Sequence, residues 1–276
     1  MRSRSKAPRL YSRLLLSELI ILICMIVILV MINRESRVEA KEVSGADSLL
    51  NAISPELPDS TDYSVDFLIG KTDHPDFIMV RDPRYVFTDM PVHRLVFEAF
   101  KRMQAAASRD SINLKIVSAA RSWTKQRSIW EARMQGHGYR GNLSREQKIV
   151  IIRRSLRYNS MPGISRHHWG TELDLCSVDP AYFETTRGRK IFRWLSEHAG
   201  DYGFVQVYTA PEIDSSRTGF FSEPWHWSYA PLSKPILTQY LQKVNYTHLK
   251  GFSGDDLAEA VNVIQEYVGG VNPALK

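Results

Sequence analysis

The sequence predicts an α+β fold, in which helices cover a small, mostly antiparallel sheet, preceded by one N-terminal transmembrane helix. Three observations predict it. Segments such as residues 93–110 repeat apolar residues at helical spacing. Short apolar segments such as residues 113–120 lie between them, and their connections are typical of hairpins rather than of helical crossovers. Residues 14–32 form an apolar run of 19 residues, interrupted only by Ser17 and Glu18.

The apolar run at residues 14–32 predicts a single membrane-spanning helix. A helix of that length rises roughly 28 Å, about the thickness of a hydrocarbon core. The basic residues before it are Arg2, Arg4, Lys6, Arg9 and Arg13. Because basic flanks stay in the cytoplasm, we expect the rest of the chain on the periplasmic or extracytoplasmic side of the cytoplasmic membrane. A signal peptide cleaved near residues 38–40 is the alternative.

The charge distribution argues against a nucleic-acid partner. Without the five basic residues of the N-terminal flank, the formal net charge of +6 falls to about +1. The remaining chain therefore lacks a basic face that could follow a phosphate backbone. Of the two cysteines, Cys24 lies in the apolar run, so Cys176 has no partner for a disulfide within the exported part. We expect Cys176 to be a small buried residue on a strand.

Composition divides the chain into five segments. Residues 1–13 are the basic cytoplasmic flank, and residues 14–32 are the membrane anchor. Residues 33–64 are polar and mixed in charge, and they predict a linker with one weak helix near residues 46–53. Residues 65–250 predict the folded domain. Residues 251–276 predict a C-terminal helix and tail.

Within the domain, the elements alternate in type. The apolar spacing predicts helices at residues 93–110, 124–135, 144–158, 188–199, 232–242 and 255–268. Strands are predicted at residues 113–120, 172–178, 202–208 and 224–230. Ser144 is expected to cap its helix, with Gln147 completing a capping box.

Two histidines and two acids form the candidate chemical site: His167, Asp174, Glu223 and His226. Neutral imidazole and carboxylate suit zinc, which keeps three protein ligands in catalytic sites. Two histidines and one aspartate would fill that count. A carboxylate that is not bound to the metal is then needed to accept a proton from water. Pro224 biases Glu223 towards extended geometry, which would present Glu223 and His226 to one cleft.

Arg121 lies where a predicted strand ends and a predicted helix begins. Its planar guanidinium is suited to binding a carboxylate through two hydrogen bonds, or to stabilising an oxyanion. A surface arginine in a salt bridge at the start of a helix is the alternative interpretation.

Three motifs occur in order along the chain: SxxRSxxxQxxxW from Ser118, PGxSRHHWGTxxDL from Pro162 and EPWHWSY from Glu223. In combination they resemble the zinc D-alanyl-D-alanine carboxypeptidase family, which includes the vancomycin-resistance D,D-carboxypeptidases and D,D-dipeptidases. The resemblance covers roughly residues 66–233. It implies hydrolysis of the C-terminal peptide bond of a peptidoglycan stem peptide by zinc-activated water, beside the cytoplasmic membrane to which the N-terminal helix tethers the domain.

The resemblance also implies a role for each site residue. By this resemblance, the zinc ligands are His167, Asp174 and His226. Glu223 is the general base, and Arg121 faces the carbonyl or carboxylate of the substrate. Ser165 and Gln126 match motif positions that face the substrate or support the ligands.

Two residues of the middle motif have no settled role. The family has six residues between its first histidine and the aspartate, which selects His167, whereas strand alternation alone favours His168. Glu172 stands where many relatives carry a small apolar residue. Alternation places it on the same face as Asp174, so we expect it to approach the site, which puts the substrate preference in question.

Other functions remain open at this stage. An L,D-carboxypeptidase or a cross-link endopeptidase would use the same zinc site, and a non-catalytic cell-wall-binding module would use the same fold. A serine D,D-peptidase is disfavoured. Its SxxK motif, matched at residues 122–125, should precede SxN, but SxN lies upstream at residues 111–113 and no KTG follows.

Overall fold

Two antiparallel sheets organise the part of the chain that this computed structural model describes, residues 61–210, 215 and 217–276. The strands are β1 (Phe77–Val80), β2 (Met90–His93), β3 (Ile116–Ser118), β4 (Glu172–Leu175), β5 (Phe204–Gln206) and β6 (His226–Tyr229). β1 pairs with β2, and the other four are ordered β3-β4-β6-β5 with every neighbour antiparallel. This confirms the predicted α+β class. The β1–β2 pair was not predicted.

Helices surround these sheets. They are α1 (Val65–Leu68), α2 (Arg94–Arg109), α3 (Trp123–Gly136), α4 (Arg145–Ser155), α5 (Pro180–Phe183), α6 (Thr186–His198) and α7 (Ala230–Lys243). Those predicted before residue 250 are present, with ends that differ by up to three residues. The predicted capping box of α4 is confirmed, because Ser144 accepts from the Gln147 backbone N–H and the Gln147 side chain accepts from the Ser144 backbone N–H.

Two local predictions were wrong. Residues 255–268 form a 3₁₀ turn (Asp255–Leu257) and a π-helix (Ile264–Val268) instead of one α-helix. Between them Asn262 has a φ of 51°, a left-handed conformation that asparagine tolerates and that interrupts a regular helix. Cys176 follows β4 instead of lying on it, is half-buried and has a φ of 67°.

A single apolar cluster joins helices from distant parts of the sequence. Trp130 of α3, Ile152 of α4 and Tyr240 of α7 are fully buried in it. Val261 and Val268, from the C-terminal segment, belong to the same cluster. Burying side chains of this size contributes about 1.5–3 kcal/mol each, so the C-terminal segment stabilises the domain that precedes it.

Several predictions fall on residues that the structure does not describe: the basic flank, the anchor at residues 14–32, the weak helix near residues 46–53 and most of the linker. Within residues 61–210, 215 and 217–276, no helix has both the length and the apolar character needed to cross a membrane. The membrane anchor and the domain boundaries therefore stay predictions.

The short helix α1 holds the segment that carries the adjacent histidines. The indole N–H of Trp169 donates to the carbonyl of Leu68 at 3.0 Å, and the Trp123 backbone N–H donates to the carbonyl of Gly70 at 2.6 Å. Gly70 has a φ of 79°, and a Cβ at this position would lie 2.2 Å from Nδ1 of His168. Glycine is therefore required here both by the backbone conformation and by the contact with His168.

We expect Gly70→Ala to destabilise the domain more than Gly138→Ala. Gly138 has a similar φ of 86° but no atom within 4 Å of the added Cβ. The left-handed backbone alone should cost about 1–2 kcal/mol in either variant. Displacing His168 should cost Gly70→Ala roughly 1–3 kcal/mol more, the usual scale for overpacking. Urea unfolding measures both variants, and equal losses would show that the contact with His168 is unimportant.

Candidate metal centre

Asp174 and His226 face each other across two neighbouring strands. They are partners in the antiparallel register of β4 and β6, and Oδ1 of Asp174 lies 3.3 Å from Nδ1 of His226. His167 comes from a 3₁₀ turn (Arg166–Trp169) just before β4, and its Nε2 lies 3.4 Å from Oδ2 of Asp174. All three side chains are buried, and one possible ligand atom of each lies within 4.8 Å of the others.

On each of the two imidazole rings, one nitrogen faces the cluster and the other contacts an oxygen acceptor. Nδ1 of His167 lies 2.6 Å from the carbonyl oxygen of Ala119, so Nδ1 carries the proton and the lone pair of Nε2 faces Asp174. On His226 the positions are reversed, because Nε2 lies 3.2 Å from Oε2 of Glu172 and Nδ1 faces the cluster. Metal-binding histidines commonly donate their second ring nitrogen to such an acceptor.

The cluster contains polar atoms without partners. Nε2 of His167 and Oδ1 of Asp174 are buried and have no hydrogen bond to any described residue. Unpaired buried polar atoms cost about 1–3 kcal/mol each. A cation held between these atoms would satisfy them, and the donor set of two imidazoles and one carboxylate fits zinc.

The electrostatic environment keeps His167 neutral and Asp174 ionised, the forms in which these side chains bind a metal. Burial lowers the pKa of His167, which keeps this ring neutral. Burial also raises the pKa of Asp174, but the interactions of this carboxylate with His167, His226 and Arg121 outweigh it and bring the pKa to about 2. Burial lowers the pKa of His226, yet the surrounding carboxylates raise it to about 10. Without a metal, His226 therefore carries both ring protons, and metal binding at Nδ1 must release one.

Glu223 lies beside this donor set. Its Oε2 is 3.1 Å from Nδ1 of His226, and its backbone N–H donates to the carbonyl of Tyr208 at 3.0 Å. Burial raises the pKa of Glu223, and the hydrogen bond from His226 opposes that shift. A buried carboxylate with a raised pKa is suited to accepting a proton and returning it.

Arg121 approaches the donor set from the start of α3. Its backbone N–H donates to the carbonyl of His167 at 3.0 Å, and its guanidinium lies 3.8 Å from Oδ2 of Asp174. The side-chain oxygen of Gln126 accepts from the guanidinium at 3.0 Å, while the amide nitrogen of Gln126 donates to the carbonyl of Ser160 at 2.8 Å. Gln126 thus fixes the direction of Arg121.

A cavity of about 700 Å³ opens over these residues. All of the predicted site residues except Gln126 line it, and Gln126 lies behind Arg121. Ser165 contributes to the wall just before the 3₁₀ turn. Tyr208 and Trp225, to which the sequence assigned no role, also line the cavity, and so does Lys125, the lysine of the disfavoured SxxK match. Such a space accommodates a short peptide rather than a single water molecule.

His168 uses both of its ring nitrogens outside this cluster. Nδ1 donates to the carbonyl of Arg121 at 2.7 Å, and Nε2 accepts from the backbone N–H of Gly163 at 3.1 Å. Burial lowers the pKa of His168 to about 3, so the ring is neutral. His168 therefore ties its own segment to that of Arg121 and has no free nitrogen for a metal.

His74, Asp76 and His93 form a second group of possible metal ligands. This group differs from the first in which ring nitrogens are free to bind a metal. Nδ1 of His74 accepts from the Asp76 backbone N–H, and Nδ1 of His93 accepts from the Leu95 backbone N–H, each at 3.2 Å. A neutral ring whose Nδ1 accepts must carry its proton on Nε2. Neither Nε2 can then donate a lone pair to a metal, so this group does not fit one.

The sequence predicted that Glu172 approaches the site, but it did not predict which residues Glu172 contacts. It is fully buried, and its Oε1 lies 3.0 Å from the guanidinium of Arg166 and 2.8 Å from the hydroxyl of Ser228. The alternation of β4 correctly placed Glu172 and Asp174 on one face. No local signal in the sequence indicated Arg166, because this arginine lies six residues upstream on a turn.

Comparisons with known proteins place the chain in a family. Residues 89–232, more than half of the chain, match the family model VanY, described as D-alanyl-D-alanine carboxypeptidase. A D-alanyl-D-alanine carboxypeptidase of Enterococcus faecalis (strain ATCC 700802 / V583) is 27% identical over 124 residues, which cover 45% of this chain and 42% of the relative. The chain spans about half the length of the curated relatives it matches.

Solved structures of similar proteins were also found. VanYB in complex with D-alanine-D-alanine is 19% identical, with a TM-score of 0.43 over 62% of this chain and 91% of that one. A mutant of the vancomycin-resistance D,D-pentapeptidase VanY in complex with Zn(II) is 20% identical, with a TM-score of 0.43 over 63% and 90%. On the extent of the family match, this chain belongs to the VanY family of D-alanyl-D-alanine carboxypeptidases.

Proposed function

We propose that this protein is a zinc-dependent D-alanyl-D-alanine carboxypeptidase that hydrolyses the C-terminal peptide bond of peptidoglycan stem peptides. The observation that carries the proposal is the convergence of three buried donors with an adjacent free acid. Nδ1 of His226 lies 3.3 Å from Asp174 and 3.1 Å from Glu223, and the carboxylate of Asp174 extends to His167. Family membership supports the same activity.

The proposed ligands are Nε2 of His167, the carboxylate of Asp174 and Nδ1 of His226. A zinc ion bound in this way supplies Lewis-acid chemistry, which lowers the pKa of water to about 7 and polarises a carbonyl. The chain's own contribution is to hold the donors in fixed directions. The carbonyl of Ala119 fixes the ring of His167, and antiparallel pairing fixes Asp174 against His226.

Glu223 is the proposed general base. With a metal held at Nδ1 of His226, that nitrogen would no longer donate to Glu223, and the Glu223 carboxylate would be free to accept a proton from water. Glu223 then donates that proton to the leaving amine. Burial raises its pKa and so favours both steps near neutral pH. A non-catalytic cell-wall-binding module has no need of this carboxylate, so its presence argues for an enzyme.

Arg121 is proposed to bind the free carboxylate at the end of the substrate. It lines the cavity, lies 3.8 Å from Asp174, and immediately precedes the N-cap residue Ser122 of α3. The positive end of that helix adds to the charge of the guanidinium. A carboxylate is therefore matched by two positive groups, whereas an internal peptide bond is not. This favours trimming of a chain end over cleavage within cross-links.

The predicted membrane anchor at residues 14–32 would hold the domain beside peptidoglycan on the extracytoplasmic side. That location remains a prediction.

We predict that Glu223→Gln binds zinc normally and turns over slowly. A glutamine keeps the shape of the side chain but cannot accept the proton, so turnover should fall at least ~10²-fold. Release of D-alanine from a stem pentapeptide measures turnover, and elemental analysis measures zinc. Glu184→Gln, the same change at an exposed acid outside the cavity, should retain full activity. A fully active Glu223→Gln variant would refute the assignment.

The proposed carboxylate site predicts a preference for free chain ends. A pentapeptide ending in free D-alanine should be cleaved roughly tenfold to a hundredfold faster than the same peptide amidated at its C-terminus, since unpaired buried donors cost about 1–3 kcal/mol. Arg121→Ala should remove this preference, and Arg127→Ala, an exposed arginine on the same helix, should keep it. Equal cleavage of the two peptides by the wild-type protein would defeat the carboxypeptidase assignment while leaving the zinc mechanism intact.

A further inference from the structure

We infer that Glu172 is a positioning residue for the metal: its buried carboxylate holds the Nε2 proton of His226 and so directs Nδ1 to the zinc site. The inference rests on the proposed function, because it assigns a role behind one of the proposed ligands. It adds a residue that acts through His226 and touches neither substrate nor metal.

The geometry separates the two edges of the His226 ring. Nδ1 lies 3.3 Å from Oδ1 of Asp174 and 3.1 Å from Oε2 of Glu223, on the cavity side. Nε2 lies 3.2 Å from Oε2 of Glu172. Glu172 does not line the cavity, whereas Asp174, Glu223 and His226 do. Glu172 is therefore on the far side of the ring from the substrate.

Strand pairing produces this arrangement. Glu172 pairs with Ser228 two residues along from the Asp174–His226 pair, so the four side chains share one face of the sheet. A carboxylate at position 172 consequently reaches diagonally to His226 on the neighbouring strand. The contact is set by the register of β4 and β6 and does not depend on a flexible loop.

The residues around Glu172 stabilise its buried negative charge. Arg166, which is also fully buried, lies 3.0 Å from Oε1 and stacks its guanidinium 4.7 Å from the ring centre of Trp169. The hydroxyls of Ser228 and Thr171 donate to the same oxygen at 2.8 and 3.0 Å. All of these groups engage Oε1, which leaves Oε2 for His226. An unpaired buried carboxylate would be strongly destabilising, so this set of partners allows the charge to remain.

The chemical consequence follows from the hydrogen bond to Nε2. A carboxylate that accepts this proton prevents rotation of the ring and makes Nδ1 a more basic donor. Among the described residues, the Nδ1 of His167 is supported by the neutral carbonyl of Ala119 alone. Charge-assisted hydrogen bonds are roughly twice as strong as neutral ones, so His226 should be the more firmly directed ligand.

The alternative is that Glu172 merely neutralises Arg166. Both roles predict a less stable protein when Glu172 is changed, so stability alone does not separate them. Zinc affinity does, because a partner for Arg166 that is unrelated to His226 would leave the affinity of the folded protein unchanged.

The test compares zinc binding of the full chain with that of Glu172→Gln, after removal of metal by dialysis against a chelator. Zinc dissociation constants are measured by competition with a chromophoric chelator, and urea unfolding of the metal-free proteins is measured in parallel. Glu172→Gln should weaken zinc binding roughly 10- to 100-fold, the usual effect of losing such a partner. Ser233→Ala is the control, because it removes a hydrogen bond to Ser228 at the far end of the same network. This variant should bind zinc like the wild type.

Unchanged zinc affinity in a folded but less stable Glu172→Gln protein overturns the inference and leaves only the structural role. If Glu172→Gln does not fold, the double variant with Glu172→Leu and Arg166→Met replaces the buried ion pair with apolar groups, and the same comparison applies. Weakened binding in that variant supports the inference, and wild-type affinity overturns it. A wild-type protein that binds no zinc overturns the proposed function as well. Tight zinc binding without peptidase activity overturns the proposed function alone.

Discussion

The antiparallel pairing of β4 with β6 is the constraint on which the site depends. Its register sets Asp174 opposite His226 and Glu172 opposite Ser228, with all four side chains on one face. A slip of one residue would turn one strand's set to the other face and separate the donors. β3 and β5 flank this pair, and the β3 segment supplies both the carbonyl that orients His167 and the chain that continues into Arg121. The site residues are therefore positioned by the antiparallel sheet and by the chain that follows β3.

Buried charge is the second constraint. The centre brings carboxylates and imidazoles together away from solvent, where charges without partners are costly. The protein compensates for this cost in two ways. Glu172, which does not line the cavity, is satisfied by Arg166 and by hydroxyl groups. On the cavity side, Nε2 of His167 and Oδ1 of Asp174 lack partners among the described residues, and a zinc ion is the partner that suits them. Both carboxylate oxygens of Glu172 are therefore paired, whereas Nε2 of His167 and Oδ1 of Asp174 are left for a metal.

Much of the fold could be predicted because long amphipathic helices and capping residues are local signals. The β1–β2 pair was missed because Pro91 lies inside β2, and proline argues against a strand in sequence analysis although it is tolerated at sheet edges. The C-terminal helix was predicted from apolar spacing, which carries no signal for the left-handed conformation of Asn262 that interrupts it.

The choice between His167 and His168 as the metal ligand also could not be made from a local sequence pattern. Strand alternation favoured His168, but both histidines lie on a 3₁₀ turn that ends at Gly170, which has a φ of 70°, so alternation does not apply to them. Family spacing selected His167, the histidine that the structure places beside Asp174 and His226. The contact of His168 with Arg121 joins positions 47 residues apart, and no local pattern reveals it.

The most direct test of this account is a crystal structure of the zinc-loaded protein, with the metal located by anomalous scattering at the zinc absorption edge. We predict one zinc ion bound by Nε2 of His167, the carboxylate of Asp174 and Nδ1 of His226, with Glu172 still hydrogen-bonded to Nε2 of His226 and Glu223 outside the coordination sphere. Zinc bound by His168, or by Nε2 of His226 after rotation of the ring, would contradict the account.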